Sequence, residues 1–322
     1  MSTENPSTAQ LRIVAAACCL TLASCGGGSD NASTPASSAT PASTSTTSST
    51  AAPGAAYTAG SPQASALQAL NAARAQCGFG TLAQSAELDT SAAAHASYMA
   101  LNNAYSHSEV AGRPGFTGTL SSDRETAAGY RWIFAGEVLA QVSNGSSGAD
   151  AVRLLLAAPY HAALLLDAFH DVGFGWSTVS GFPTLTGDLG VRAGQGGVAR
   201  GALVTYPCNG ITDAIAVGAN EEPSPFPSNT SARWGQPVIV RGPSDLAINS
   251  ASITGPLGSV QVLAIYGPGQ AADPNNTGDF TQGTFSIIPA PLQPNTTYTV
   301  GIAYTSGGTA GRRDFSFATG AR

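Results

Sequence analysis

Lysine is missing from this sequence altogether: all 13 cationic side chains are arginine. That excludes Schiff-base chemistry, which needs a primary amine, and the phosphate loop whose lysine reaches the terminal phosphates. Charge of either sign is scarce, at 10% of 322 residues, and the net charge is −6, so no basic field exists to hold a phosphate backbone. Nucleic-acid partners are disfavoured on that ground. Only four histidines occur, and the Gly-x-Ser-x-Gly elbow, the His-Glu-x-x-His pair and the glycine-rich phosphate loop are all absent. His107-Ser108-Glu109 with Pro207-Cys208 imitates half of a zinc deaminase signature. Cys208-Asn209-Gly210-Ile211 lacks its second cysteine, so that reading is discarded.

What is present starts with a leader. Arg12 precedes an apolar run from Ile13 to Ala23, which is too short to span a bilayer and has the length of a signal h-region. Leu22-Ala23-Ser24-Cys25 resembles a bacterial lipobox, which implies a lipoprotein signal peptide over residues 1–25 with Cys25 as the lipidated first residue. Ordinary secretion, with cleavage at a nearby Ala or Ser, is the alternative. Similar lipoproteins without Asp after the cysteine go to the outer membrane, facing the periplasm or the cell surface. Acyl chains at roughly 0.8 kcal/mol per buried CH2 give firm membrane attachment. Residues 26–60, almost entirely Ser, Thr, Ala, Pro and Gly, read as a disordered tether. With Cys18, Cys19 and Cys25 assigned to leader and anchor, Cys77 and Cys208 remain for the folded part. In an oxidising compartment they most simply form one disulfide; two separate buried thiols are the other reading.

A chain of this length suggests two domains of roughly 150 residues each. Ser61-Pro62 predicts a helix start and Gly78 its stop. Leu88, Ala92, His95 and Met99 recur on one face of a second helix over 85–103. Ser122 and Glu125 have capping-box spacing for a short third helix, and Pro159 predicts a break within a helical stretch from Ala149 to Leu166. Strand-like runs follow at Val172–Ser177, Thr184–Val191 and Ala202–Tyr206, which together predict an α+β domain over 61–220. The segment 221–229, EEPSPFPSN, has three prolines and reads as a linker and hinge. Residues 230–322 carry six or seven short strands and predict an all-β sandwich of immunoglobulin-like type. LQPNTTYTV at 292–300 resembles the tyrosine corner of such modules, with Tyr298 bonding its hydroxyl back to the chain.

The titratable residues give few candidates. His95 shares a face with core residues and reads as a hydrogen-bonded core histidine, and His170 as a capping or surface residue. His107 lies in a polar loop after the second helix, where a rigid scaffold places function. Glu137 is the only acid in the apolar run WIFAGEVLAQV, so it must be paired or have a raised pKa. His161, beside the helix break at Pro159, can aim into the same cleft. Two imidazoles and a carboxylate suit either a divalent metal or acid–base work. A third reading is purely structural: the cluster ties the helix break to the loop.

Taken in order, ALNAARAQCGFGTL (69–82), LDTSAAAHASYMALNNAYSHSE (88–109), DRETAAGY (123–130), AGEV (135–138) and APYHAALLLDAFHDVGFGW (158–176) resemble the bacterial branch of the CAP superfamily, the cysteine-rich secretory, antigen 5 and pathogenesis-related group. The resemblance spans roughly residues 62–210 and implies an α-β-α sandwich ahead of the immunoglobulin-like sandwich. It also implies a cleft of two histidines and two glutamates that sometimes holds zinc. His107, Glu137 and His161 fall on three of these positions, while Val138, Tyr160 and Ala162 depart from the family pattern. Ala158 falls where the second glutamate is expected. The function implied is an extracytoplasmic binding module for an envelope lipid, glycan or protein, more than a reaction. The rival is a hydrolase using His107, Glu137 and His161, with or without zinc.

Overall fold

Serine, proline and glycine set the element boundaries along this chain, as the computed structural model shows. The described residues are 56–196, 201–229, 231–280 and 282–321. The leader, Cys25 and nearly all of the tether lie outside them. Tyr57, inside the expected tether, is held: its hydroxyl donates to Asp89 and accepts from the Phe174 N–H.

Helix α1 (Pro62–Gln76) is capped by Ser61, whose side chain accepts from the Ala64 N–H at 3.1 Å. Strand β1 (Ala83–Gln84) leads to α2 (Ala86–Asn102), capped by Ser85 and closed by left-handed Asn103. Helix α3 (Ser121–Ala127) departs from the expected cap. Asp123 accepts from the Leu120 N–H at 3.0 Å, and Glu125 is buried rather than engaged in a capping box. Strand β2 (Trp132–Gln141), an element the sequence pattern did not predict, crosses the Glu137 run. Helices α4 (Gly148–Leu156) and α5 (Pro159–Leu165) show the break expected at Pro159.

Strands β3 (Asp171–Val179) and β4 (Phe182–Arg192) complete a four-stranded sheet of order β1-β3-β4-β2, with β2 at one edge. Helix α2 packs on one side, and α1, α4 and α5 on the other. Alternate residues of β2 accordingly divide: Leu139 packs with Tyr98 and Met99 of α2, and Val138 and Ala140 join the main core. Two glycines let α2 approach this closely. A Cβ on Gly173 would lie 2.2 Å from backbone atoms of Leu88 and Asp89, and one on Gly175 2.2 Å from the Ala92 carbonyl oxygen.

Downstream, β5 (Val204–Tyr206), β6 (Val238–Arg241), β10 (Thr284–Pro289) and β9 (Val262–Tyr266) form one sheet. Strands β12 (Thr309–Ala318), β11 (Thr297–Ser306), β7 (Ala247–Gly255) and β8 (Gly258–Val260) form another. Strand β5, expected with the first sheet, pairs antiparallel with β6. The run SVQVLAIYG, expected as one strand, breaks into β8 and β9, which serve different sheets. Every residue of β6 and β10 is buried. Since neighbouring residues point to opposite faces, their sheet must be covered on both, and α5 covers one of them.

Two separate cores were expected from the length. The main core is instead one connected cluster that runs from Leu70 and Leu156 through Trp234 to Phe285 and Val300, and the described residues form one compact unit. Nor is 221–229 a free hinge: Glu221 is buried, and the Pro225 carbonyl accepts from the Tyr266 hydroxyl at 2.6 Å. The Cys77–Cys208 disulfide joins the end of α1 to the residues after β5, with Cα atoms 5.4 Å apart at a sequence separation of 131.

Candidate functional site

Glu137 is the centre of the site, and its neighbours come from four elements. On β2 it faces α2, with its side chain 3% exposed. His107, in the loop after α2, places Nδ1 2.8 Å from Glu137 Oε1. Arg124 of α3 donates to Glu137 Oε2, and its Nη1 reaches back to the His107 carbonyl at 3.2 Å. One buried guanidinium therefore holds both the carboxylate and the loop carrying the imidazole. Burial alone would raise the Glu137 carboxyl. The hydrogen bond from His107, and the charges of Arg124, His95 and His107, outweigh it and bring the group down to about 2.

His95 is buried as expected, with Nδ1 2.9 Å from Glu109 Oε1 and Nε2 2.9 Å from the Ser106 carbonyl. Both ring nitrogens face acceptors, so the ring pins the start of the His107 loop. Glu109 fixes the loop's other end, accepting from the Thr117 N–H at 2.6 Å. His170 enters β3, its backbone bonded to Gly190 and Ala83.

Behind this pair lies a cluster that sequence reasoning missed. Asp188 is the cross-strand partner of Glu137 in the β2–β4 register, so both carboxyls stand on one face. Asp188 and Glu125 are fully buried; the Glu125 carboxyl has no hydrogen-bond partner among the described residues, and Asp188 faces Ser91 and Glu137. Burial, then the nearby charge of Glu137, raises Asp188 well above the carboxylate range. Burial, then Asp188 and Glu137, raises Glu125 to about 10. Glu125 is thus a neutral acid at pH 7, and Asp188 is pushed in the same direction. A signal for Asp188 was present, since it is the one acid in TLTGDLGV, the same pattern that singled out Glu137.

The third candidate, His161, sits near the start of α5. Its ring lies 6.5 Å from that of His107 between centroids, with 28° between the planes. Its Nδ1 is 3.0 Å from Glu221 Oε1, a partner no pattern had suggested. His107, Glu137 and His161 are thus brought together. His107 is the open member, its side chain 43% exposed against 14% for His161.

Zinc requires three or four donor atoms converging at about 2.0–2.3 Å. Among the described residues no three His, Cys, Asp or Glu side chains converge in that way. The oxygens of Glu137 are already taken by His107 and Arg124, and the nitrogens of His95 by Glu109 and Ser106. The donor set as arranged does not fit a zinc ion.

Residues 67–187 match the family described as CAP, the cysteine-rich secretory protein family. That region holds α2, α3, β2 and α5, and with them His107, Glu137 and His161. Among solved structures, an extracellular protein containing an SCP domain from Bacillus anthracis is 23% identical with a TM-score of 0.33; the match covers 41% of this chain and 40% of that one. An outer surface protein from Borrelia burgdorferi is 17% identical with a TM-score of 0.34, covering 39% of this chain and 89% of that one. No curated protein matches the chain. Among the described residues no helix is long and apolar enough to cross a membrane.

Proposed function

We propose that this chain is an extracytoplasmic interaction module of the cell envelope, lipid-anchored through Cys25, with the cleft at His107 and His161 as its recognition element. The observation that carries the reading is His107 itself: a half-exposed imidazole whose Nδ1 is tied to a buried, arginine-held carboxylate. Such a group is fixed in place yet open to a ligand. Exposed apolar residues lie close to it in sequence, Tyr105 and Val110 on its loop, and Phe134 is exposed three residues before Glu137 on β2, which suits a binding rim. The CAP match and the disulfide support an extracytoplasmic setting, because disulfides persist in oxidising compartments. The bacterial outer membrane fits the lipobox resemblance, with simple secretion as the alternative. Envelope lipids, glycans and proteins are the ligand classes to test.

Purified parent and His107→Ala proteins, presented to envelope lipid vesicles, peptidoglycan and immobilised envelope proteins, provide the test. Parent capture by one class, reduced about tenfold or more in the variant, is expected; equal capture by both proteins overturns the reading. A Cys25→Ser chain should leave the membrane fraction.

A second reading, hydrolysis, has one observation in its favour. A histidine with Nδ1 on a carboxylate keeps Nε2 available as a proton acceptor, the geometry of a general base. Ester or peptide turnover lost in His107→Ala would establish it. Metal at one equivalent per chain would overturn the misfit with zinc.

A further inference from the structure

The site has a second carboxylate, and it comes from outside the region that matches the family. Glu221 lies 60 residues beyond His161, in the proline-rich stretch between the two halves of the chain. Its Oε1 accepts from the Tyr160 N–H at 2.7 Å and from the His161 N–H at 3.0 Å, and sits 3.0 Å from His161 Nδ1. We propose that Glu221 is a positioning residue of the cleft: it fixes the ring of His161 and its proton as Glu137 does for His107, so that the downstream β region takes part in the site. The proposal rests on the cleft being the recognition element.

Helix capping alone is the simpler account, because Ala158 at the α5 N-cap supplies no side-chain bond and Glu221 replaces it. Two features exceed what a cap requires. The Glu221 side chain is fully buried, and its Oε2 has no hydrogen-bond partner among the described residues. Burying a charged group with one oxygen unsatisfied is expensive, whereas Ser, Thr or Asp at position 158 would cap the helix locally without that cost. The bond to the imidazole is the second. It makes the two arms alike, each ring holding a carboxylate on Nδ1 and leaving Nε2 without a partner among the described residues. In the neutral state the proton then stays on Nδ1, and both Nε2 lone pairs are kept for a ligand.

The segment carrying Glu221 is itself held against α5 from downstream. Trp234 Nε1 donates to the Ala157 carbonyl at 2.9 Å. Asn275 Nδ2 donates to both the Tyr160 hydroxyl, at 2.9 Å, and the Ser224 carbonyl, at 2.7 Å. The approach of Glu221 to His161 is therefore set by the β region, and a fragment ending at residue 220 would lack half of the second arm.

The test compares the full disulfide-bonded parent with Glu221→Gln and Glu221→Asp, using diethyl pyrocarbonate, which acylates an unprotonated imidazole nitrogen, and mapping the label by mass spectrometry. Glutamine still accepts the two backbone N–H bonds but carries no charge. At about pH 9, above the imidazole range so that protonation does not enter, labelling of His161 is expected to slow about tenfold in Glu221→Gln, because a neutral acceptor on Nδ1–H leaves Nε2 less nucleophilic than a carboxylate does, and to recover in Glu221→Asp. His107 labelling, unchanged in both, reports an intact fold. A residue that only caps α5 would leave His161 labelling unchanged, or faster as the helix end loosens, and either result overturns the proposal. The outcome is independent of ligand capture by His107→Ala, so this inference and the binding reading fail separately.

Discussion

The two halves of this compact unit solve burial in opposite ways. Of the buried carboxylic acids among the described residues, Glu109, Glu125, Glu137, Asp171 and Asp188 belong to the α-β-α half, and only Glu221 lies downstream. The β half buries Val240, Phe285, Ile287, Val300 and Phe317 with few ionisable groups near them. A fold that needed only stability would resemble the second half throughout, because well-packed apolar residues replace buried ion pairs at little or no loss. The first half retains a network in which Arg124 compensates two acids, while burial pushes two more toward their neutral form. That contrast locates the chemistry and predicts that the halves respond differently to perturbation.

The largest effect is expected at Arg124. Replacing it with Met leaves the packing volume but strands Glu137 and frees the loop carbonyls, and should cost about 4 kcal/mol in denaturant unfolding, as for a broken buried pair. Fluorescence from Trp132, whose Nε1 donates to Thr126 Oγ1 on the neighbouring α3, should change with it. A loss below about 1 kcal/mol would mean that the charged half is no more dependent on its ion pairs than the apolar half.

Reduction of Cys77–Cys208 comes next. Releasing it should lower stability by about 3 kcal/mol, a typical value for a native disulfide and below the chain-entropy ceiling of about 5 kcal/mol for a loop of this length. Because one connected core spans the two halves, calorimetry should still show a single transition after reduction. Two separated transitions would break the view of the halves as one unit.

The pH dependence has a definite sign. Glu125 is raised from 4.5 to about 10, so the folded state keeps a proton that the unfolded chain has released. Stability should fall as pH rises through that window, by at most about 1.4 kcal/mol per pH unit for one proton. Glu137 acts oppositely: its lowered carboxyl stabilises above about 4.5, and that contribution disappears as pH falls toward about 2. Thermal midpoints of Glu125→Gln against pH should show a shallower decline on the alkaline side than the parent.

Much of this was legible in local sequence. Ser61 and Ser85 caps, the break at Pro159, the cysteine pair and the isolated acid of WIFAGEVLAQV are signals confined to a few residues, and the structure follows them. What escaped detection depends on distant partners. Strand β2 is exposed through Phe134 and buried from Gly136 to Ala140, so it shows no clean alternation. Glu125 matched a surface capping pattern because nothing nearby in sequence foretells its burial under Asp188 and Glu137. Glu221 sits among prolines with no periodicity, and its role comes from a helix 60 residues earlier.

The smallest prediction checks the apolar half on its own terms. Tyr298, expected to pin a corner, is buried on β11, and its hydroxyl oxygen accepts from the Gln293 N–H at 2.7 Å. Tyr298→Phe keeps the ring against Phe317 and removes only that acceptor, leaving a backbone N–H to find water. The expected cost is about 1 kcal/mol, the net value of one neutral hydrogen bond. No buried carboxyl adjoins the corner, so the cost should be equal at pH 5 and pH 8, whereas the cost of losing Arg124 should change between them as Glu125 and Asp188 are drawn toward ionisation. A Tyr298→Phe loss that varied with pH would show that the charged network extends into the β half, and the contrast between the halves would not hold.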